Sequence, residues 1–525
     1  MKRREFLSRS VPAALLPVFI GGLSVQAYGR SPIIETLVSA ATETDRVLVL
    51  IQMTGGNDGL NTVIPLSEYT NLAKARANIL IPEAKVLKMT GATGLHPSMT
   101  GMMDLYSAGK LSVIQSVSYP NPNFSHFRAT DIWLTGSDSN QYLESGWMGR
   151  YLDEEFPSYP TGYPNAVTPD PLAIQIGSTI SPGLQGHAGS MGMTITDPTK
   201  FYQLVSGTVD PAPNTPAGHE LTFIRQVTQQ TQQYASVIKN AAAKAVTLST
   251  MYPLSPDNSL GDQLKVVARL IAGGLKTRIY VVTLGGFDTH SNQSVAGATE
   301  TGTHANLLGR LSKGIAAFQD DLKLLNVEDR VVGMTFSEFG RRIISNASGG
   351  TDHGTAAPLL VFGKHINPGI IGTNPVIPAA VTAGNNIPMQ YDFRSVYASI
   401  LRDWFGVPQS ELETVLLKNF QSLPIIAAPT TVRPVSSEPR EMMLHQNYPN
   451  PFNPSTRIRF SVTDGYMRLD VYNALGQEIQ TLAEGTFPAG EHEIVFNGAD
   501  LPSGIYYCRL QQGSSVQIKP MTLIK

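Results

Sequence analysis

The sequence predicts an α/β domain, a mostly parallel sheet flanked by helices, followed by a small C-terminal all-β sandwich. Between Asp45 and Leu423 apolar runs of strand length alternate with helical patterns, the order that builds a parallel sheet covered on both faces. From Ala427 to Glu441 the chain is rich in Pro, Thr, Ser and Val without period, which marks a linker. Beyond it short alternating stretches are separated by Gly-, Asn- and Pro-containing turns, as in a small antiparallel sandwich. The expected organisation is a domain over 45–424, a linker over 425–441 and a sandwich over 442–525. With 525 residues, 42% of them hydrophobic, the chain can bury more than one core.

The expected core strands are Val47 to Met53, Leu111 to Val117, Leu172 to Ile176, Arg278 to Leu284, Val331 to Phe336 and Pro358 to Phe362. The expected helices are Pro97 to Ser107, His126 to Leu134, Leu221 to Leu248, Asp262 to Leu275, His304 to Leu325 and Phe393 to Phe405. In the sandwich, strands are expected at Arg457 to Val462, Met467 to Tyr472, Glu491 to Phe496, Gly504 to Leu510 and Ser515 to Leu523.

Charge and cysteine usage narrow the function. A formal net charge of -2, with 15% charged residues, offers no basic field for nucleic acid or an anionic membrane. Cys508 has no intrachain partner, so stability must come from packing or bound ions. After the first thirty positions no apolar run reaches the ~18 residues a membrane span needs.

The amino terminus reads as a signal peptide over 1–27: Lys2-Arg3-Arg4-Glu5-Phe6-Leu7, a modestly apolar stretch from Val11 to Val25, and a small-residue site ending at Ala27. The paired arginines before Phe-Leu resemble a twin-arginine signal, which implies export of a folded protein by that machinery. An ordinary Sec signal that begins Arg-Arg is the alternative.

In open parallel sheets the functional site lies beyond the carboxyl ends of the strands. After the first strand comes Thr54-Gly-Gly-Asn-Asp58-Gly-Leu-Asn61, and after the second Asn123-Phe-Ser125-His126-Phe-Arg128. After the fourth comes Gly285-Gly-Phe-Asp288-Thr-His290, and after the fifth Ser337-Glu338-Phe-Gly-Arg341. Thr351-Asp352-His353-Gly precedes the sixth strand, and joins the same face only if that strand runs antiparallel or its leading loop folds back. Glycines beside these residues let the backbone approach an ion or an oxyanion. Carboxylates and imidazoles without thiolates suit one or two divalent ions, zinc, manganese or magnesium rather than calcium. Two ions about 3.5 to 4 Å apart would clamp the attacking and leaving oxygens of a displacement at phosphorus or sulfur.

Several blocks resemble known families. Tyr448-Pro-Asn-Pro-Phe-Asn-Pro454, Leu469-Asp-Val-Tyr-Asn-Ala-Leu-Gly476 and Leu501-Pro-Ser-Gly-Ile-Tyr-Tyr507 closely resemble the type A carboxy-terminal sorting domain of type IX secretion. That resemblance implies delivery to the cell surface or outside by the type IX secretion machinery. An adhesive or carbohydrate-binding sandwich is the alternative. Gly55 to Asn61, Ser125 to Phe127, Gly286 to His290, Ser337 to Arg341 and Thr351 to Gly354 resemble the domain-of-unknown-function 1501 family, placed in the alkaline-phosphatase-like superfamily with the sulfatases.

The resemblance implies an alkaline-phosphatase-like fold and a site, residue by residue. Asp58 sits where the superfamily has its first-strand metal aspartate, and Ser125 where it keeps its nucleophile, at the start of a helix closing in Leu134-Thr-Gly136. Arg128 is the candidate for the nearby arginine. Asp288, His290 and His353 would form one metal site, with Glu338 serving another. The chain departs from the pattern in spacing Asp288 and His290 by two positions, and in carrying Glu338-Phe339 where Asp-His is common. One imidazole of a second site is then missing unless His126 supplies it.

Other readings stay open for single residues. Asp58 between turn-forming neighbours could hold a turn, and Ser125 could be a helix N-cap. His126 could be a structural histidine. Arg341 could pair with a carboxylate, and Asp352 could orient His353. The expected function is an exported, metal-dependent hydrolase of phosphate or sulfate esters, with an unknown ester as substrate. The rival is a non-catalytic surface protein that retains the fold.

Overall fold

The computed structural model describes residues 45–187, 189–198, 215, 234–427, 442–487, 490–513 and 515–524, with the backbone alone of 18–20, 23–25 and 433–436. Most of the expected signal peptide, of the expected linker and of the expected helix at Leu221 to Leu248 lies outside these residues; the described part of that helix is helical through 234–244.

A nine-stranded sheet organises the first part of the chain. Its strands, in chain order, are β1 (Val47–Thr54), β2 (Leu111–Ser118), β3 (Ala173–Ile176), β4 (Met193–Ile195), β5 (Ile279–Gly285), β6 (Val331–Phe336), β7 (Ala357–Gly363), β8 (Gly369–Ile371) and β9 (Tyr391–Asp392). The order across the sheet is β8-β2-β7-β6-β1-β5-β3-β4, with β9 also on β2. β1 lies at the centre, parallel to β5 and β6. β7 runs antiparallel to both its neighbours, β6 and β2.

That reversal meets the condition set for the Thr351 to Gly354 block. The segment leading into β7 starts at the end of the sheet where β1, β5 and β6 finish. Arg341–Ser345 and Thr351–His353 form a short antiparallel ribbon there, between β6 and β7.

The sheet is buried on both faces because its strands alternate between two cores. Leu48, Leu50, Ile279 and Val281 join one cluster with Trp133, Trp147 and Tyr397. Val47, Val49, Ile51, Tyr280 and Val282 join the other with Leu264, Leu311 and Phe318. Such continuous apolar strands are what a sheet covered by helices on both faces requires. The covering helices include α1 (His126–Thr135), α2 (Ser259–Ala272), α3 (Thr303–Leu324) and α4 (Phe393–Ser399), whose helical path continues to Trp404.

The carboxy-terminal part is all antiparallel. One sheet contains Ser455–Val462 paired with Gly490–Asn497. The other has Gly465–Asn473 between Glu478–Phe487 and Gly504–Gln512, with Ser515–Leu523 at its edge. Their inner faces share a core that includes Phe460, Leu469, Val471, Cys508 and Leu510. The strand Glu478–Phe487 was not expected: Leu482 is its only buried residue, so it lacks the apolar alternation that betrays its neighbours. Among the described residues no helix is long and apolar enough to cross a membrane.

Candidate metal centre

The loop after β1 turns back under the site through two glycines. Gly55 and Gly56 have φ of 124° and 76°. A Cβ on Gly55 would stand 2.3 Å from the Asp288 backbone nitrogen, and one on Gly56 2.3 Å from the Phe339 ring. Glycine is therefore required by conformation and by space.

Glu338, at the end of β6, is fully buried and accepts two hydrogen bonds on Oε1, from the Gly55 backbone N–H and from His126 Nδ1, each 2.8 Å. Its carboxylate places the proton of His126 on Nδ1. That leaves the Nε2 lone pair facing Asp288, 3.6 Å from Oδ2.

Two further imidazoles repeat the arrangement. His353 donates from Nδ1 to the Phe124 carbonyl oxygen at 2.8 Å, and His290 turns Nδ1 toward Asp352 Oδ1 at 3.4 Å. Their Nε2 atoms lie 3.4 and 3.2 Å from Asp288 Oδ1 and 2.9 Å from each other. With both Nδ1 atoms protonated, two lone pairs face one another across 2.9 Å. They repel unless a proton or a metal cation lies between them. The Asp288 carboxylate beside them stabilises either positive charge.

His126, Asp288 and His353 each offer a donor atom, all within 4.8 Å of one another, and could hold a metal ion. The donor set is chemically apt: oriented imidazole nitrogens with one carboxylate oxygen. Phe339, buried beneath, has its ring centroid 4.9 Å from that of His126 and 4.4 Å from that of His353.

Arg341 ties the loops together. Its buried guanidinium donates to the carbonyl oxygens of Gly55, Gly56, Thr351 and Phe287, and to Asp288 Oδ1 at 2.6 Å. Burial would raise the Asp288 carboxyl, but the Arg341 hydrogen bond and charge outweigh it and hold the group below the usual range. Burial pushes the His353 imidazole down, against the bond to Phe124.

The remaining site candidates have the following partners. Asp58 is fully buried, and Arg76 Nη1 grips both its oxygens at 3.0 and 2.9 Å while Gln293 Nε2 donates to Oδ2 at 2.6 Å. Burial acts to raise its pKa, but Arg76, with His304 and Gln293, brings it below the ordinary value. In this structure both oxygens of Asp58 brace the loop through Arg76 and Gln293, away from the three-histidine cluster's hydrogen bonds. Glu338 Oε1 holds His126 and Gly55, and its Oε2 lies 3.3 Å from Ser337 Oγ. Arg128 does not present its guanidinium to the cluster: it pairs with Asp131 and donates to the carbonyls of Asp138, Ser139 and Gln141. Asp352, expected behind His353, meets His290.

Ser125 is the N-cap residue of α1 but makes no side-chain capping bond. It is exposed, between Phe124, whose carbonyl holds His353, and His126 itself. Arg76 was missed by sequence reasoning. It lies on a separate short helix, Tyr69–Arg76, and nothing in its local pattern points back to Asp58.

Residues 208–416 match the family model "Protein of unknown function (DUF1501)", and residues 446–524 match "Secretion system C-terminal sorting domain". The first match takes in Asp288, His290, Glu338 and His353 but neither Asp58 nor Ser125. No curated protein matches the chain. Among solved structures, a sulfatase from a Pseudoalteromonas species is similar at 12% identity and a TM-score of 0.30, with 89% of this chain and 88% of that chain covered. A phosphonate monoester hydrolase from Silicibacter pomeroyi is similar at 9% identity and a TM-score of 0.28, with 91% of this chain and 89% of that one covered.

Proposed function

We propose that the chain is an exported, metal-dependent hydrolase of phosphate or sulfate esters. Its chemistry would reside in the domain over 45–424, and the sandwich over 442–525 would deliver it to the cell surface through the type IX secretion machinery. The observation that carries this reading is the convergence of three imidazole Nε2 atoms on Asp288, each ring with its Nδ1 turned to an oxygen.

His126, Asp288, His290 and His353 would hold the ion, and this nitrogen-rich set favours zinc or manganese over magnesium. A divalent ion there supplies positive charge against the negative charge that builds on the ester oxygens. Ser125 is the nucleophile of the reading, exposed at the rim and free of a capping bond. Its oxygen forms the bond to phosphorus or sulfur as the bond to the leaving oxygen breaks, the serine proton ends on the departing alcohol, and water then cleaves the serine ester, restoring the hydroxyl and releasing phosphate or sulfate. Arg341 holds Asp288 in place and Glu338 holds His126. Arg128 supports the reaction by fixing the 138–141 loop.

The test is elemental analysis of the purified protein, followed by a panel of aryl phosphate and aryl sulfate esters. One equivalent of metal with turnover of at least one ester class supports the reading. A metal-loaded protein that turns over none would favour a non-catalytic surface protein.

A further inference from the structure

His290 stands on the loop beyond β5 with little packed around it. Its side chain is 43% exposed, and the ring it meets is that of His353, 4.6 Å away between centroids. An imidazole this open takes its orientation from hydrogen bonds rather than from packing.

Those bonds come from the tip of the ribbon between β6 and β7. The backbone N–H groups of Asn292 and Gln293 donate to the carbonyls of Ser348 and Gly349 at 3.1 and 2.9 Å, and that of Thr351 donates to Thr289 at 3.2 Å. A Cβ on Gly350 would stand 2.4 Å from the His290 carbonyl carbon and oxygen, so only glycine allows the two segments to lie this close.

Asn346 joins the main chain of His290 to the partner of its ring. Its Nδ2 donates to the His290 carbonyl oxygen at 2.8 Å and to Asp352 Oδ1 at 3.2 Å, the same oxygen that His290 Nδ1 faces at 3.4 Å. Its Oδ1 accepts from the backbone N–H groups of Ser348 and Gly350 at 3.0 and 3.1 Å. Both donors and both acceptor sites of the carboxamide are used, and in one orientation only. Turned over, its oxygen would meet a carbonyl and a carboxylate, and its nitrogen two N–H groups.

We propose that Asn346 is a positioning residue of the candidate metal centre: it holds the His290 backbone and the Asp352 carboxylate together, so that the ring keeps Nδ1 on Asp352 and turns Nε2 toward Asp288. Its effect on metal affinity rests on the metal-dependent reading; its effect on the ring rests on the hydrogen bonds alone.

The experiment uses the full chain, with zinc as the probe. Asn346→Asp keeps an oxygen for Ser348 and Gly350 but sets a second oxygen against the His290 carbonyl and Asp352. A role confined to the turn survives that change, and a positioning role does not. The zinc Kd, from competition with a chromophoric chelator, should rise about ten- to a hundredfold. Asn346→Asp combined with Asp352→Asn again sets a donor against an acceptor and should regain affinity over Asn346→Asp. In the metal-free parent at about pH 8, where imidazole is neutral, the nitrogen-15 shifts of His290 should place the proton on Nδ1, and in Asn346→Asp the two tautomers should mix. Circular dichroism checks the fold, and if Asn346→Asp does not fold, Asn346→Ala carries the same two expectations. A parent that binds no zinc but shows the tautomer change would remove the metal reading and keep the positioning role. His290 shifts equal to the parent's would overturn the role whatever the zinc affinity, and so would an unchanged Kd in a zinc-binding parent.

Discussion

The Nε2 atoms of His290 and His353 face one another at 2.9 Å, although each ring already commits Nδ1 to an oxygen, of Asp352 and of Phe124 respectively. On the proposed metal-dependent reading, chelation of the parent should leave these two lone pairs facing one another uncompensated and lower thermal stability. At free metal one hundred times its Kd the ion contributes about 2.7 kcal/mol. His353→Ala should lower bound metal and melting temperature together, and chelation should then change neither further. Metal analysis with thermal unfolding, with and without chelator, checks this; an unaltered metal content in His353→Ala would remove the residue from the site.

Ser125→Ala should behave differently in kind. Because Ser125 makes no side-chain capping bond, its loss should change stability by no more than about 0.5 kcal/mol. Metal content should persist, while ester turnover should fall by about three orders of magnitude or more. Steady-state kinetics beside urea unfolding would read both. Turnover equal to the parent would eliminate the serine mechanism.

Acid stability should be governed partly by two histidines outside the cluster. Burial, its largest cause, lowers the His304 pKa to about 4, and burial likewise lowers that of His96 to about 3. Unfolded histidine titrates near about 6.5. Between these values the unfolded chain binds more protons than the folded one, so stability falls as pH drops. The contribution is fully present above about pH 6.5 and declines toward about pH 4, by up to about 1.4 kcal/mol per pH unit for each ring. Urea midpoints measured from pH 7 to 4.5 should show that slope, and His304→Gln should flatten it. An equal slope in the variant would refute the assignment.

Removal of Met442 to Lys525 should leave the part over 45–424 folded. The sandwich has its own core, drawn from Leu444 to Leu523. The truncated protein is expected to unfold at the parent's urea midpoint but to remain in the periplasm. Its recovery at the cell surface by fractionation would refute the address.

Much of this arrangement was legible in the chain. Polar, glycine-flanked blocks after apolar strands gave the strand-end position of Asp288, His290 and His353, and the antiparallel course of β7 was the stated condition for including the last. What escaped was the division of labour among carboxylates. Asp58 and Glu338 have the residue type of a ligand, and only folding reveals that Arg76 and His126 claim their oxygens. Arg128 did carry a local sign, since Asp131 stands at the spacing that pairs side chains along one helix face. Glu478–Phe487 was missed because a strand over a mostly solvated surface has no period to detect.

The reversed strand β7 also bears on synthesis. It pairs with β2 and β6 at once, so the sheet cannot close until the ribosome has released the chain beyond Gly363. Pairings this distant in sequence form late, after a large loss of chain entropy. Until then His353 has no docked strand behind it, and the nascent chain holds its imidazoles apart. Assembly of the full candidate centre would thus report that translation has passed β7.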